Sequence, residues 1–225
     1  MRTIRGVKFY TFSMNNVKKK IFSDSVSEQY RKYVIKIITS NRKSYYLLWG
    51  TDVHNEDFDY LLLNTANNII AFSRIKDLLV FVNRTANLVD EKSVKKWVKT
   101  YKANKAYVTY NFLYLLDFIS EKDIIDANEE YADKAISIID FFNLFSDYSQ
   151  QTNRKDLLKL CQDNDINILI DYLYMTFFWR ASKESCKEKL NKKIKKLDFL
   201  KVEENIKNMV YSFEKEIVMI GYPFL

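Results

Sequence analysis

Apolar and polar positions recur along this chain with two different periods, and the change between them divides it. The short period prevails first. Val7–Met14 alternates loosely and predicts a strand, Asn15-Asn16 a turn, and Val17–Phe22 a returning strand. Ser25-Val-Ser-Glu28 forms a capping box, in which the serine oxygen and the glutamate carboxylate take the free N–H groups of a helix start. Val26, Tyr30, Tyr33, Val34, Ile37 and Ile38 follow at helical spacing, so a helix is expected from about Ser25 to Thr39. Lys43–Trp49 is rich in β-favouring side chains and ends at Gly50; Phe58–Leu63 reads as another strand. Asn64–Asn68 supplies turn-forming asparagines, and Ile69–Phe72 is the return. Ser73 is placed to cap a helix whose apolar stripe is Ile75, Leu78, Leu79 and Val82.

Beyond Asn87 the helical period takes over. Asp90 or Ser93 starts a helix containing Val94, Trp97, Val98 and Tyr101, and Thr109 starts another over Tyr110–Ile119. Ser120-Glu-Lys-Asp123 is a second capping box, and Tyr131–Tyr148 a strongly apolar helix through Ile138, Phe141, Phe142 and Phe145. Asn153-Arg-Lys-Asp156 opens two helices broken near Asp163–Asn167. Ile166–Trp179 is apolar almost all round and is expected as the central core helix. The chain restarts at Ser185–Glu188. Leu190, Ile194, Leu197, Ile206, Met209, Val210, Phe213 and Ile217 then mark one face of a long or bent helix. The expected class is α+β: a small antiparallel N-terminal sheet with two helices over residues 1–87, then a mostly helical bundle over 88–225. The two are expected to pack as one compact unit, with strands stopping at about residue 75. No repeat of fixed period is visible.

Composition narrows the chemistry. The 225 residues are 48% apolar and 16% aromatic, enough to bury a sizeable core and far from the profile of a disordered chain. Glycines are three, Gly6, Gly50 and Gly221, and lie far apart. Loops that cradle phosphates on successive glycine N–H groups are therefore excluded. Cys161 and Cys186 form no CxxC pattern and no Cys/His cluster, and are read as reduced structural thiols. His54 is the single histidine, so zinc sites and histidine-base triads have almost nothing to be built from. It sits in an acidic loop, Asp52–Asp59, and reads as an exposed loop residue. Asp126, Glu130 and Asp133 would share a face of one helix, a spacing suited to a hard cation but read as solvated surface. No cofactor or metal is expected, nor an enzyme. The N-terminus has no apolar leader segment, and Ile166–Trp179 is too short to span a bilayer, so a cytoplasmic location without a membrane partner is expected.

Charge is uneven within the net +7. Residues 1–50 carry +9, 91–115 carry +5 and 116–181 carry −7. Lys92, Lys95, Lys96, Lys99 and Lys102 would form a ridge on one helix, and Lys187, Lys189, Lys192, Lys193, Lys195 and Lys196 another. Lysines outnumber arginines 28 to 8, and no nucleic-acid-binding motif is present. Nucleic acid is accordingly the runner-up partner, and a protein meeting the acidic block the first expectation.

The stretch from Tyr45 to Val82, YYLLWGTD and then FDYLLLNTANNIIAFSRIKDLLVFV, has the order strand, loop, strand, Asn turn, strand, helix. It resembles the small bacterial immunity proteins paired with contact-dependent growth-inhibition toxins. The resemblance implies a cytosolic, non-catalytic protein that binds one cognate toxin domain, often a nuclease, and covers its active site or substrate surface. Many nuclease toxins are basic, which points to the acidic block as the interface. Its candidate residues are Asp117, Glu121, Asp123, Asp126, Glu129, Glu130 and Asp133.

Overall fold

The computed structural model describes residues 21–102, 104–117, 129–178 and 190–220. The expected hairpin of Val7–Met14 and Val17–Phe22 lies outside them apart from Ile21 and Phe22, which are helical. The capping box at Ser120–Asp123 and the restart at Ser185–Glu188 also lie outside.

The first described helix, α1 (residues 21–30), ends well short of the expected Thr39. Arg31 takes a left-handed φ of 50°, and Lys32–Ile38 is a strand, β1. Its sequence, KYVIKII, is buried throughout except at Lys36 and Ile38, which are half-buried. A strand covered on both faces carries a near-continuous apolar run, which a helical spacing fits equally well. That is why β1 reads as helix from the sequence.

Strand β1 is interior to a four-stranded sheet of order β3-β2-β1-β5. It pairs antiparallel with β2 (Ser44–Asp52), which pairs antiparallel with β3 (Phe58–Leu61). On its other side it pairs in parallel with β5 (Val108–Asn111), Ile35 opposite Val108. The helix predicted over Tyr110–Ile119 is largely replaced. Val-Thr-Tyr, whose β-branched and aromatic side chains favour a strand, extends along β1, and only the short α4 (Phe112–Leu116) follows.

Strand β4 (Ile69–Ala71) forms a second, two-stranded parallel sheet with β6 (Ile217–Met219). Isolated bridges from Leu63 to Ile69 and from Tyr46 to Phe72 tie β4 back to the main sheet. Ile217 does not lie on a helix face as its spacing predicts. The helix α8 (Phe199–Lys215) stops two residues short of it, and Ile217 pairs with Ile69. Strands therefore occur well beyond residue 75, where they are expected to stop, and the chain is a mixed α and β protein.

Side chains alternate across the sheet and feed two cores. Tyr33, Ile35, Ile37, Leu47 and Leu61 face a layer made by α5 (Glu129–Thr152), α7 (Asn164–Leu173) and α8. Val34, Leu48 and Tyr60 face α2 (Ile75–Arg84) and α3 (Glu91–Thr100), with Val26 of α1. The result is three layers with the sheet in the middle. In the first layer Phe141, Phe145, Tyr148 and Phe213 pack with Phe112 through edge-on and tilted rings. The short α6 (Lys155–Cys161) joins α5 to α7, whose Asp163 caps it by accepting from the N–H groups of Asp165 and Ile166. The expected core helix is thus α7, continued by a π-helical turn at Tyr174–Phe178; Asp171 is exposed, so one side faces solvent.

Side-chain bonds pin the layers together. Gln151 of α5 accepts from Leu61 N–H and donates to Leu61 C=O, both at 2.9 Å, standing in for a strand beside edge strand β3. Glu214 of α8 accepts from the backbone N–H and the hydroxyl of Ser40, in the turn between β1 and β2. Lys32, wholly buried, places its ammonium 2.9 Å from Asp90 and donates to the carbonyls of Tyr30 and Thr51. Gly50 is required beside it: a Cβ there would lie 2.6 Å from the Lys32 stem. Among the described residues no helix is long and apolar enough to cross a membrane.

Candidate partner-binding surface

The acidic block expected from the sequence is only partly visible. Asp117 follows α4 with its side chain 87% exposed, 3.5 Å from the Lys134 ammonium of α5. Lys134 is itself buried and lies 4.9 Å above the Tyr114 ring, so α4 and α5 meet around it. Asp133 is exposed. Glu129 and Glu130 open α5, but their side chains, like the whole of Glu121, Asp123 and Asp126, lie outside the described residues.

The structure adds two carboxylates that the sequence reading passes over. Asp133, Asp140 and Asp147 are seven residues apart, two helical turns, so they form a row along one side of α5. Asp140 and Asp147 are partly buried where α5 lies against the sheet. Burial raises the Asp140 carboxyl above the usual carboxylate range. Burial also pushes the Asp147 carboxyl up to about 6; a hydrogen bond from the Trp49 indole opposes this, and the nearby charge of Asp59 adds to it. That bond is 3.0 Å long and joins α5 to β2. Asp59 in turn accepts from the Thr51 hydroxyl. Tyr110 of β5 is half-buried beside both row carboxylates, and its phenol is raised by burial first, then by their charge. The spacing itself is a readable signal: three aspartates at intervals of seven interrupt an otherwise apolar helix.

The inner members of this row form no ion pair within the fold. Several other carboxylates do. Arg154 bridges Asp156 and Glu216, Lys201 reaches Asp163 and Asp165, and Lys207 pairs with Glu203. Among the described residues no Lys or Arg forms an ion pair with Asp140, Asp147 or Asp59. Desolvated carboxylates held without a counter-charge are ready to receive one from outside.

Other candidates separate. His54 sits exposed in the turn after β2, its backbone N–H donating to the Asp52 carboxylate. Cys161 is half-buried beside Ser149, and burial raises its thiol. Among the described residues no group of three or more His, Cys, Asp or Glu is arranged to hold a metal ion. The expected lysine ridge of α3 loses Lys95, which turns inward; Lys92, Lys96, Lys99 and Lys102 stay exposed. Of the second ridge, Lys192, Lys193, Lys195 and Lys196 are exposed, and Lys187 and Lys189 lie outside the described residues.

No family model matches this chain, and no curated protein matches it. Among solved structures the fold is similar to the C-terminal domain of SatS, crystallised in complex with bromine. The two share 12% sequence identity over 86% of this chain and 96% of that one, with a TM-score of 0.52. At that identity the likeness concerns the arrangement of helices and strands alone.

Proposed function

We propose that this chain is a cytoplasmic immunity protein that binds a cognate bacterial toxin domain through its acidic α5 side and blocks the toxin's active site or substrate surface. The observation that carries the reading is the Asp133, Asp140 and Asp147 row, whose inner members are desolvated yet have no cation of the fold beside them. A basic toxin surface supplies that cation, and the half-buried Trp49 and Tyr110 give the interface a partly apolar floor. The exposed Asp117 and Asp133 suit the rim, where they steer encounter more than they hold the complex. The strand–turn–strand–helix unit of residues 45–82 supports the same reading through its resemblance to such proteins.

The test is co-expression with the C-terminal domain of a secreted toxin encoded beside this gene. A stable complex, and survival of cells making the toxin, is the expected result. Asp140→Lys with Asp147→Lys should weaken binding at least tenfold while Asp171→Lys, on α7, leaves it intact. Absence of both binding and protection removes the proposal.

A further inference from the structure

We infer a second interaction surface on the far side of the sheet: the outer face of α3 takes the phosphodiester backbone of a nucleic acid. It is independent of the acidic row, since α3 belongs to the layer on the opposite face from α5. Lys92, Lys96 and Lys99 are exposed at positions i, i+4 and i+7 of this helix, and Lys102 and Lys105 follow it, also exposed. Three such lysines on a helix rise across about 10 Å, so their ammonium groups can follow successive phosphates.

Three features separate this face from an ordinary solvated one. First, the cations are unopposed: among the described residues none of these five lysines forms an ion pair. Glu91, the acid of α3, is committed to the N–H of Asn87. Second, the helix is held firmly. Val94 and Trp97 are buried beneath it, and the Lys95 ammonium donates to the carbonyls of Val82, Asn83 and Thr85 at the end of α2. Third, the acid at its N-cap position is already paired: the Asp90 carboxylate is buried against Lys32 and does not offset Lys92.

The same face discriminates among polyanions. None of the exposed large apolar side chains lies on α3, so a helix that inserts into a lipid surface is disfavoured. The helix itself carries no exposed aromatic ring for bases to stack on, and the exposed Tyr107 beyond Lys105 has its hydroxyl bonded to Glu28, so a duplex backbone fits better than a single strand. Lysines without arginine forks give charge without base reading, so binding should not depend on sequence.

The experiment is fluorescence anisotropy of the full chain with a labelled DNA duplex of about 20 base pairs, over about 50–200 mM salt. Binding at low salt that falls with a steep log–log slope is expected. Lys92→Glu, Lys96→Glu and Lys99→Glu combined should cut affinity at least tenfold and flatten the slope by about two to three units, at about 0.9 for each phosphate left without its lysine. The same variant must keep its unfolding midpoint and its toxin affinity, which separates this inference from the proposed function. Lys195→Glu with Lys196→Glu is the control and should bind as the parent does. No shift at low salt overturns the inference, as does loss of binding in the control alone. Equal competition by polyglutamate of matched charge overturns the choice of a phosphate backbone, and so does tighter retention on phosphatidylserine vesicles than on the duplex.

Discussion

Asp147 shows how a single side chain acts on stability as well as on binding. Its carboxyl sits at about 6, above the usual value of 3.8, chiefly because it is buried. The folded protein therefore holds a proton there that the unfolded chain releases. The associated stability is present below the unfolded value and is lost as pH rises from about 4 through about 6. Asp147→Asn keeps an acceptor for Trp49 and removes the charge. It should raise stability at pH 7 by roughly 1–3 kcal/mol and leave it unchanged near pH 3, as urea titrations at the two pH values would read. Lys32 and Asp90 form a buried ion pair, each the other's charge partner inside the protein. Lys32→Met strands the Asp90 carboxylate and should cost about 3–5 kcal/mol; adding Asp90→Asn should recover part of that. Neither effect is legible in the sequence. Trp49 and Asp147 are 98 positions apart, and nothing in a local pattern announces that they touch.

At the scale of elements, legibility follows burial. Helices with one wet face, α2, α3 and α8, show a clean apolar stripe, and their cores are readable from it: Ile75, Leu78 and Val82 in α2, Met209, Val210 and Phe213 in α8. Strands β2 and β3 are readable because turn-forming residues bound them. Strand β1 is not, because both its faces are covered and the alternation that marks a strand vanishes. Strands β5 and β6 are four and three residues long, too short to show a period, and their partners lie far away in sequence. The edge of β3 depends on a helix. Gln151→Ala would leave the N–H and C=O of Leu61 without their partner and should cost about 1–3 kcal/mol. Hydrogen exchange at the Leu61 amide should quicken while exchange at Leu47 and Leu48 stays slow.

At the scale of the whole molecule the sheet separates charge. The lysines of α3 lie in one layer and the aspartates of α5 in the other, so the net +7 conceals two helix faces of opposite sign. Two consequences distinguish them. The proposed toxin binding through the α5 row should weaken as pH falls through about 6, because protonating Asp147 removes a charge such a partner would meet; calorimetry at pH 5 and pH 7.5 would read the difference. Polyanion binding through the α3 lysines should hardly change over that interval, so the pH response separates the two surfaces. The alternating runs of charge are visible in the sequence, but their assignment to opposite faces is not. It depends on which side of the sheet each helix covers, and the order of elements along the chain leaves that open.

The parallel pairing of Ile69–Ala71 with Ile217–Met219 also has a temporal side. Asn68 and Glu216, which bond beside this pair, are 148 positions apart. At about 5–20 residues per second, a ribosome needs roughly 7–30 s to make β6 after β4 has been made. Throughout that interval the nascent polypeptide offers an unclosed strand margin of Ile-Ile-Ala, attractive to any other extended segment nearby. Products of interrupted translation should therefore be the insoluble species in the cell, and a holding chaperone should raise the yield of finished protein by shielding that margin until the last strand arrives.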